Sequence, residues 1–250
     1  MKKVALMLAI ILLSLINIIY PQTNLTLSKE TMSAIKQADD FKDLDLYLKA
    51  RAFSEREYLS NQEINFFRYH VAYCNFRISY IYLNKKDMTN FNKYMDEARK
   101  LLKENIEKDD KDAESMALLS TCNGIKITAD NSLGQSLGQE CMMLIANAKE
   151  IAPENPRVIL QEGIVKFNFP DFFGGDKIKA NELFKRSIEV LKNIKNDNYA
   201  WGLGDAYAWY ITSLIALNKH NDAKIAAEES LKINPDFAWI KYGLLPKIKQ

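Results

Sequence analysis

The chain has 250 residues, 48% of them hydrophobic, enough to bury a sizeable core in one domain or one continuous stack of repeats. Its 34 basic and 32 acidic residues give a formal net charge of +2, and without Lys2 and Lys3 both counts are 32. A chain so balanced has no global field to draw in nucleic acid, and its nine glycines and six prolines are too few for long linkers.

Residues 1–21 have their own meaning. Lys2 and Lys3 precede an apolar run from Val4 to Tyr20 that is broken by Ser14 and Asn17. This is the layout of a secretory signal peptide, and it predicts an exported, periplasmic protein. No small-x-small triplet precedes Pro21 and Gln22, and the run reaches the lower end of the roughly 17–25 residues that span a bilayer. The alternative is therefore an uncleaved inner-membrane anchor formed by residues 4–20. No cysteine occurs before Cys74, so attachment of lipid to a processed N-terminal cysteine is excluded.

Helical periodicity then runs through the chain. Residues 29–49 place Met32, Ile35, Phe41, Leu44 and Leu48 on an apolar face but fit no repeat register, so residues 22–60 are expected to form an N-terminal helical cap. Residues 61–83 carry Phe66, Phe67, Tyr69, Tyr73, Phe76, Tyr80 and Tyr82 at spacings of three and four. After a polar break, residues 87–105 align Phe91, Met95, Ala98, Leu101 and Leu102. Further pairs are predicted at 111–128 with 133–151, at 155–169 with 176–194, and at 199–217 with 220–233, before a terminal helix from Pro235. Almost no segment alternates with period two, so the class is all-α. Cys122 and Cys141 lie in consecutive helices and could face each other; alternatively they and Cys74 are small buried hydrophobes.

The stretch from Gly204 to Pro235 defines the architecture. With Gly204 as position 1 of a repeat of about 34 residues, Tyr207, Tyr210 and Leu214 take the large apolar positions of a first helix. Ala223, Ala227 and Ser230 take the small positions of a second, and Pro235 ends the unit. This is the spacing of a tetratricopeptide (TPR) unit. A register begun at Ala72 places Ile78, Ser79, Tyr82, Met95 and Ala98 in the same way. One helical hairpin cannot bury its own apolar face, so such hairpins stack into a solenoid, here expected over residues 61–250. The concave face would be lined by first helices rich in Tyr, Phe and Trp, side chains suited to gripping a peptide or an organic ligand.

Residues 169–176 interrupt the penultimate hairpin with a Phe/Gly-rich insertion. Pro170 ends a helix, Gly174 and Gly175 admit unusual backbone angles, and Asp176 can cap the next helix. Phe169, Phe172 and Phe173 must either tuck into the stack as a latch or face a ligand. Arg157, in the first turn of a helix, needs a carboxylate partner and is either a structural ion pair or a ligand anchor. Trp201, Tyr207, Tyr210 and Trp239 complete the candidate binding residues, with core packing as the alternative for the tryptophans.

The series Asn155-Pro156-Arg157, Phe169-Pro170, Phe172 to Asp176 with Ala180, Trp201-Gly202 and Pro235-Asp236-Phe237-Ala238-Trp239 resembles a group of exported bacterial TPR proteins of unassigned function. The resemblance covers the C-terminal part of the chain well and the first half in outline. More distantly, the helix–loop–Gly-Gly-Asp–helix arrangement is similar to the TPR component of tripartite periplasmic (TRAP) transporters, which implies help in handing a ligand to a membrane permease.

Catalytic patterns are missing. His70 and His220 belong to no metal-ligand spacing, and there is no phosphate-cradling loop, nucleophile elbow or HExxH helix. Gly134 and Gly138 lack the context of a dinucleotide motif. The expectation is a non-enzymatic envelope protein without cofactor or metal, a scaffold that holds an envelope protein or peptide on its aromatic concave face. A small-molecule or lipid carrier is the alternative.

Overall fold

Six of the helices begin where a side chain satisfies the free N–H groups of the first turn. In the computed structural model, which describes residues 25–194 and 198–248, Ser28, Asp43, Asp87, Asp112, Asn155 and Asp176 each accept such a bond. The signal-peptide or anchor reading of residues 1–21 lies outside the described residues. The helices are α1 (Lys29–Phe41), α2 (Leu44–Ser60), α3 (Asn65–Asn84), α4 (Met88–Lys108) and α5 (Ala113–Ala129). They continue with α6 (Gly134–Ile151), α7 (Pro156–Asn168), α8 (Lys177–Asn193), α9 (Leu203–Ala216) and α10 (His220–Ile233). A π-helical segment, Trp239–Leu244, leads into the short α11 (Leu245–Ile248). No strand occurs among the described residues.

Three local outcomes differ from the sequence pattern. The helical stretch at 29–49 is split at Lys42, which takes the left-handed conformation (φ 54°) and reverses the chain so that α1 and α2 pair. The helix expected from Tyr199 starts only at Leu203. Trp201 is drawn inward and Gly202 adopts φ 131°, where an added Cβ would also press on Leu191 Cδ2 at 3.3 Å. At the C-terminus the helix expected from Pro235 begins as the wide π turn at Trp239.

The hairpins α1/α2, α3/α4, α5/α6, α7/α8 and α9/α10 stack in order, each packing on the next. Ser79, Ala98, Ala223 and Ala227 are fully buried and let helices approach, while Met95, Leu102, Leu214 and Phe184 fill the layers between. First helices also touch one another, α5 against α7 and α3 against α5. Two hairpin helices come very close at Gly163 on α7, where an added Cβ would lie 2.6 Å from the fully buried Phe184 ring. That ring is stacked on Trp209 at 5.9 Å and has nowhere to retreat. Gly163→Ala should therefore lower stability by about 1–3 kcal/mol, read from the urea midpoint, and an unchanged midpoint would show that the layer can yield.

The stack turns far enough to bring its first hairpin against its last. Lys42 Nζ lies 3.3 Å from Asp205 on α9, and Asn234 donates its amide to Asp40 at 2.6 Å. Arg77 on α3 bridges the same place, 3.2 Å from Asp39 and 3.3 Å from Asp205. Tyr73 donates to both carboxylate oxygens of Asp39 at 2.9 and 2.8 Å, and Tyr47 donates to one of them. The result is a cluster of two buried acids and two half-buried bases that joins α1, α3 and α9.

Candidate functional site

The insertion at residues 169–176 is an ordered structure. Phe169 N–H still bonds Val165 O at 3.0 Å, after which Pro170 ends α7. Phe173 and Gly175 donate to Pro170 O at 2.9 and 3.0 Å, Gly174 donates to Asp171 O at 2.9 Å, and Asp176 donates back to Lys166 O at 2.8 Å. Gly174 needs its positive φ of 85°, and a Cβ on Gly175 would collide with Phe169 O at 1.9 Å. Asp176 then caps α8 through Lys179 N–H at 2.9 Å. Of the three phenylalanines only Phe169 packs on the core. Phe172 and Phe173 are 81% and 61% exposed, with ring centroids 4.2 Å apart, so they stand as a pair at the tip of the loop.

A second group gathers around Arg157. The residue is 3% exposed and has the expected carboxylate neighbour, with Nη1 3.7 Å from Glu114. It also grips main chain: Nε and Nη2 donate to Trp201 O at 3.1 and 3.0 Å, and Nη2 donates to Tyr199 O at 3.3 Å. Its guanidinium lies 4.5 Å from the Tyr199 ring centroid and 5.6 Å from that of Trp201. The Tyr199 ring in turn meets Phe66, Tyr69 and His70 on α3, each at 5.3 Å, and Trp201 stacks on Tyr73 at 4.6 Å. The aromatic face of α3, expected to be open, is thus covered by the chain's own residues 199–202. His70 Nδ1 donates to Phe66 O at 2.8 Å, and burial lowers its imidazole to about 4.

The other expected site residues lie in or against the core. Tyr207 is buried and donates its hydroxyl to Glu229 at 2.8 Å, and burial first and Glu229 second push its pKa upward. Tyr210 is half-buried against the core, and Trp239 meets Trp209 edge-to-face at 5.7 Å. Beside Tyr199 lies a pocket of about 330 Å³ lined in part by Asn65, Phe66, Tyr69, Glu114 and Asn155. Of its carboxylates, Glu114 accepts from Asn155 at 2.8 Å and Asp112 accepts from Asn65 at 3.2 Å.

Among the described residues no group of three or more His, Cys, Asp and Glu could hold a metal, and no helix is long and apolar enough to cross a membrane. The three cysteines are buried free thiols, and burial raises Cys74 and Cys122 to about 12, far from a reactive thiolate. Cys141 Sγ donates instead to Ser120 O at 3.2 Å. The sequence pattern pointed to Arg157 and to the phenylalanine loop but missed Tyr199 and His70. The one signal for Tyr199 was its place two residues before Trp201, ahead of a glycine.

No protein-family model matches the sequence, and no curated protein matches it. Solved structures are similar in fold. TTC0263, a thermophilic TPR protein of Thermus thermophilus, superposes with a TM-score of 0.59 at 13% identity, covering 83% of this chain and 93% of that one. The HusA haemophore of Porphyromonas gingivalis gives 0.60 at 18% identity, covering 78% and 96%. These likenesses establish an all-α, TPR-like helical solenoid.

Proposed function

We propose that this chain is a non-enzymatic TPR-like scaffold of the cell envelope that binds a protein partner through the tip of its phenylalanine loop. The observation that carries the reading is the exposure of two adjacent phenylalanines on a loop held by its own hydrogen bonds. A loop this well built could have turned its rings inward, as Phe169 does. Holding most of two aromatic side chains in water costs free energy that a partner pocket would recover. The aromatic face of the first helices is a less suitable entry surface, because residues 199–202 already cover it. Fold analogy to TPR scaffolds supports protein binding in general and does not name the partner. Export rests on the Lys2-Lys3 and Val4–Tyr20 pattern, and intact-mass spectrometry of the protein from its own cells would test it: a mass including residues 1–21 would favour the anchor.

Photo-crosslinking from position 172 tests the docking surface. The wild-type loop should capture one defined envelope protein, and Phe172→Ser/Phe173→Ser should bind that purified protein at least about tenfold more weakly. Its own stability should move by no more than about 0.5 kcal/mol, because neither ring is buried. Unchanged affinity in the double variant would sink the reading. So would unfolding, which would return the loop to a latch.

A further inference from the structure

Residues 199–202 behave structurally as a bound peptide. They are non-helical, and their carbonyls are held by one fixed donor, the Arg157 guanidinium on α7, at 3.0–3.3 Å. Their aromatic side chains, two residues apart, rest on successive rings of α3: Tyr199 on Phe66, Tyr69 and His70, and Trp201 on Tyr73. A donor that reads main chain, beside separate seats for alternate side chains, can hold a bent segment of any protein that presents the same two carbonyls and two rings. Nothing in the clamp on the carbonyls depends on the segment belonging to this chain.

The resident fits incompletely. Trp201 is 7% exposed and its Nε1–H reaches no acceptor among the described residues. His70 is fully buried and its Nε2 reaches no donor among them. Buried polar groups left in this state weaken the fit of whatever occupies the groove, so a segment that satisfied them, or that placed a phenylalanine in the Trp201 seat, would hold more tightly.

We infer that the face built by α3, α5 and α7 is a second binding site, specific for a bent, non-helical protein segment with aromatic side chains at positions i and i+2. Residues 199–202 occupy it as an internal competitor. A partner segment displaces them, and affinity at this site is lowered by the fraction of time the resident is in place. The site is separate from the Phe172–Phe173 tip and does not depend on it.

The probe is a labelled pentapeptide, Asn-Tyr-Ala-Trp-Gly, that copies residues 198–202. Tyr199→Ser/Trp201→Ser, which empties both seats in the full-length chain, should bind it at least about tenfold more tightly than wild type does. Adding Arg157→Lys, which keeps the charge but loses the planar fork, should reverse that gain. A folded double variant that binds no more tightly than wild type overturns the inference. If the double variant does not fold, Ala200→Cys in the otherwise intact chain decides, because the three native thiols are buried and silent. The peptide should then speed labelling of position 200 by a thiol reagent, and an unchanged or slower rate overturns the inference. Phe172→Ser/Phe173→Ser should bind the peptide as wild type does.

Discussion

Asp205→Ala should destabilise the chain by about 3–5 kcal/mol, the largest loss expected here from removing one side chain. Asp205 is 5% exposed and receives Lys42 and Arg77, each at 3.3 Å. Burial alone would raise its pKa, but the two cations more than cancel that effect and hold the carboxyl below its ordinary range. Lys42 shows the opposing strain: burial first, then the neighbouring Arg77, push its ammonium down against the pull of the two aspartates. Removing Asp205 leaves both cations to Asp39, which already accepts from Tyr73 and Tyr47. One half-buried positive charge is then left without its partner, and the tie between the first and last hairpins opens at its centre. Urea unfolding monitored by circular dichroism would read the loss as a lowered midpoint. Adding Arg77→Leu should restore part of it, because the surplus charge goes with the partner. A loss below about 1 kcal/mol would mean that water reaches the cluster and that the contact between hairpins is dispensable.

Acidification should bring the second large effect. His70 lies fully buried between Phe66, Tyr69 and Tyr199, and its folded pKa is about 4 against an ordinary 6.5. Burial is the main cause, and the Arg157 charge adds to it against the Phe66 carbonyl, which favours the proton. Above pH 6.5 the imidazole is neutral in both states and contributes no pH dependence. Below that value the unfolded chain takes up the proton first, so stability falls as pH drops and the fall ends near pH 4. Over that window the loss is about 3 kcal/mol. Asp40 and Asp112, both raised by burial, work in the opposite direction at their own lower range, so the difference between variants is the useful readout. His70→Leu should flatten the acid limb between pH 6.5 and 4 whatever its effect at neutral pH. Parallel wild-type and variant curves would show that the imidazole is hydrated in the native state.

Much of the fold is legible along the chain because its causes are local. The aromatic period of α3, the cap at Asp176, and the small residues Ala223 and Ala227 act within a turn or two, or across one hairpin. The same holds for the loop at 169–176, where Pro170, Gly174 and Gly175 impose a turn whatever surrounds them. Composition alone could not say whether Phe172 and Phe173 would pack, because an apolar side chain in a loop faces whichever surface the loop happens to meet. Tertiary structure decided that they stay in water.

Nor could local pattern reveal what covers α3. Its rings read as an open aromatic face until Tyr199 and Trp201 are laid on them by a connection that belongs to a different hairpin. The cluster of Asp39, Lys42, Arg77 and Asp205 was equally invisible, since its members pair across 128 and 163 residues. Such contacts depend on the small rotation that each hairpin adds to the last, accumulated over the whole stack. The sequence by itself determined helices, their caps, their pairing and the phenylalanine loop, because those interactions act over a few residues. Only the tertiary structure decided which aromatic surface is filled and which remains exposed, because that outcome is set by the closure of five stacked hairpins.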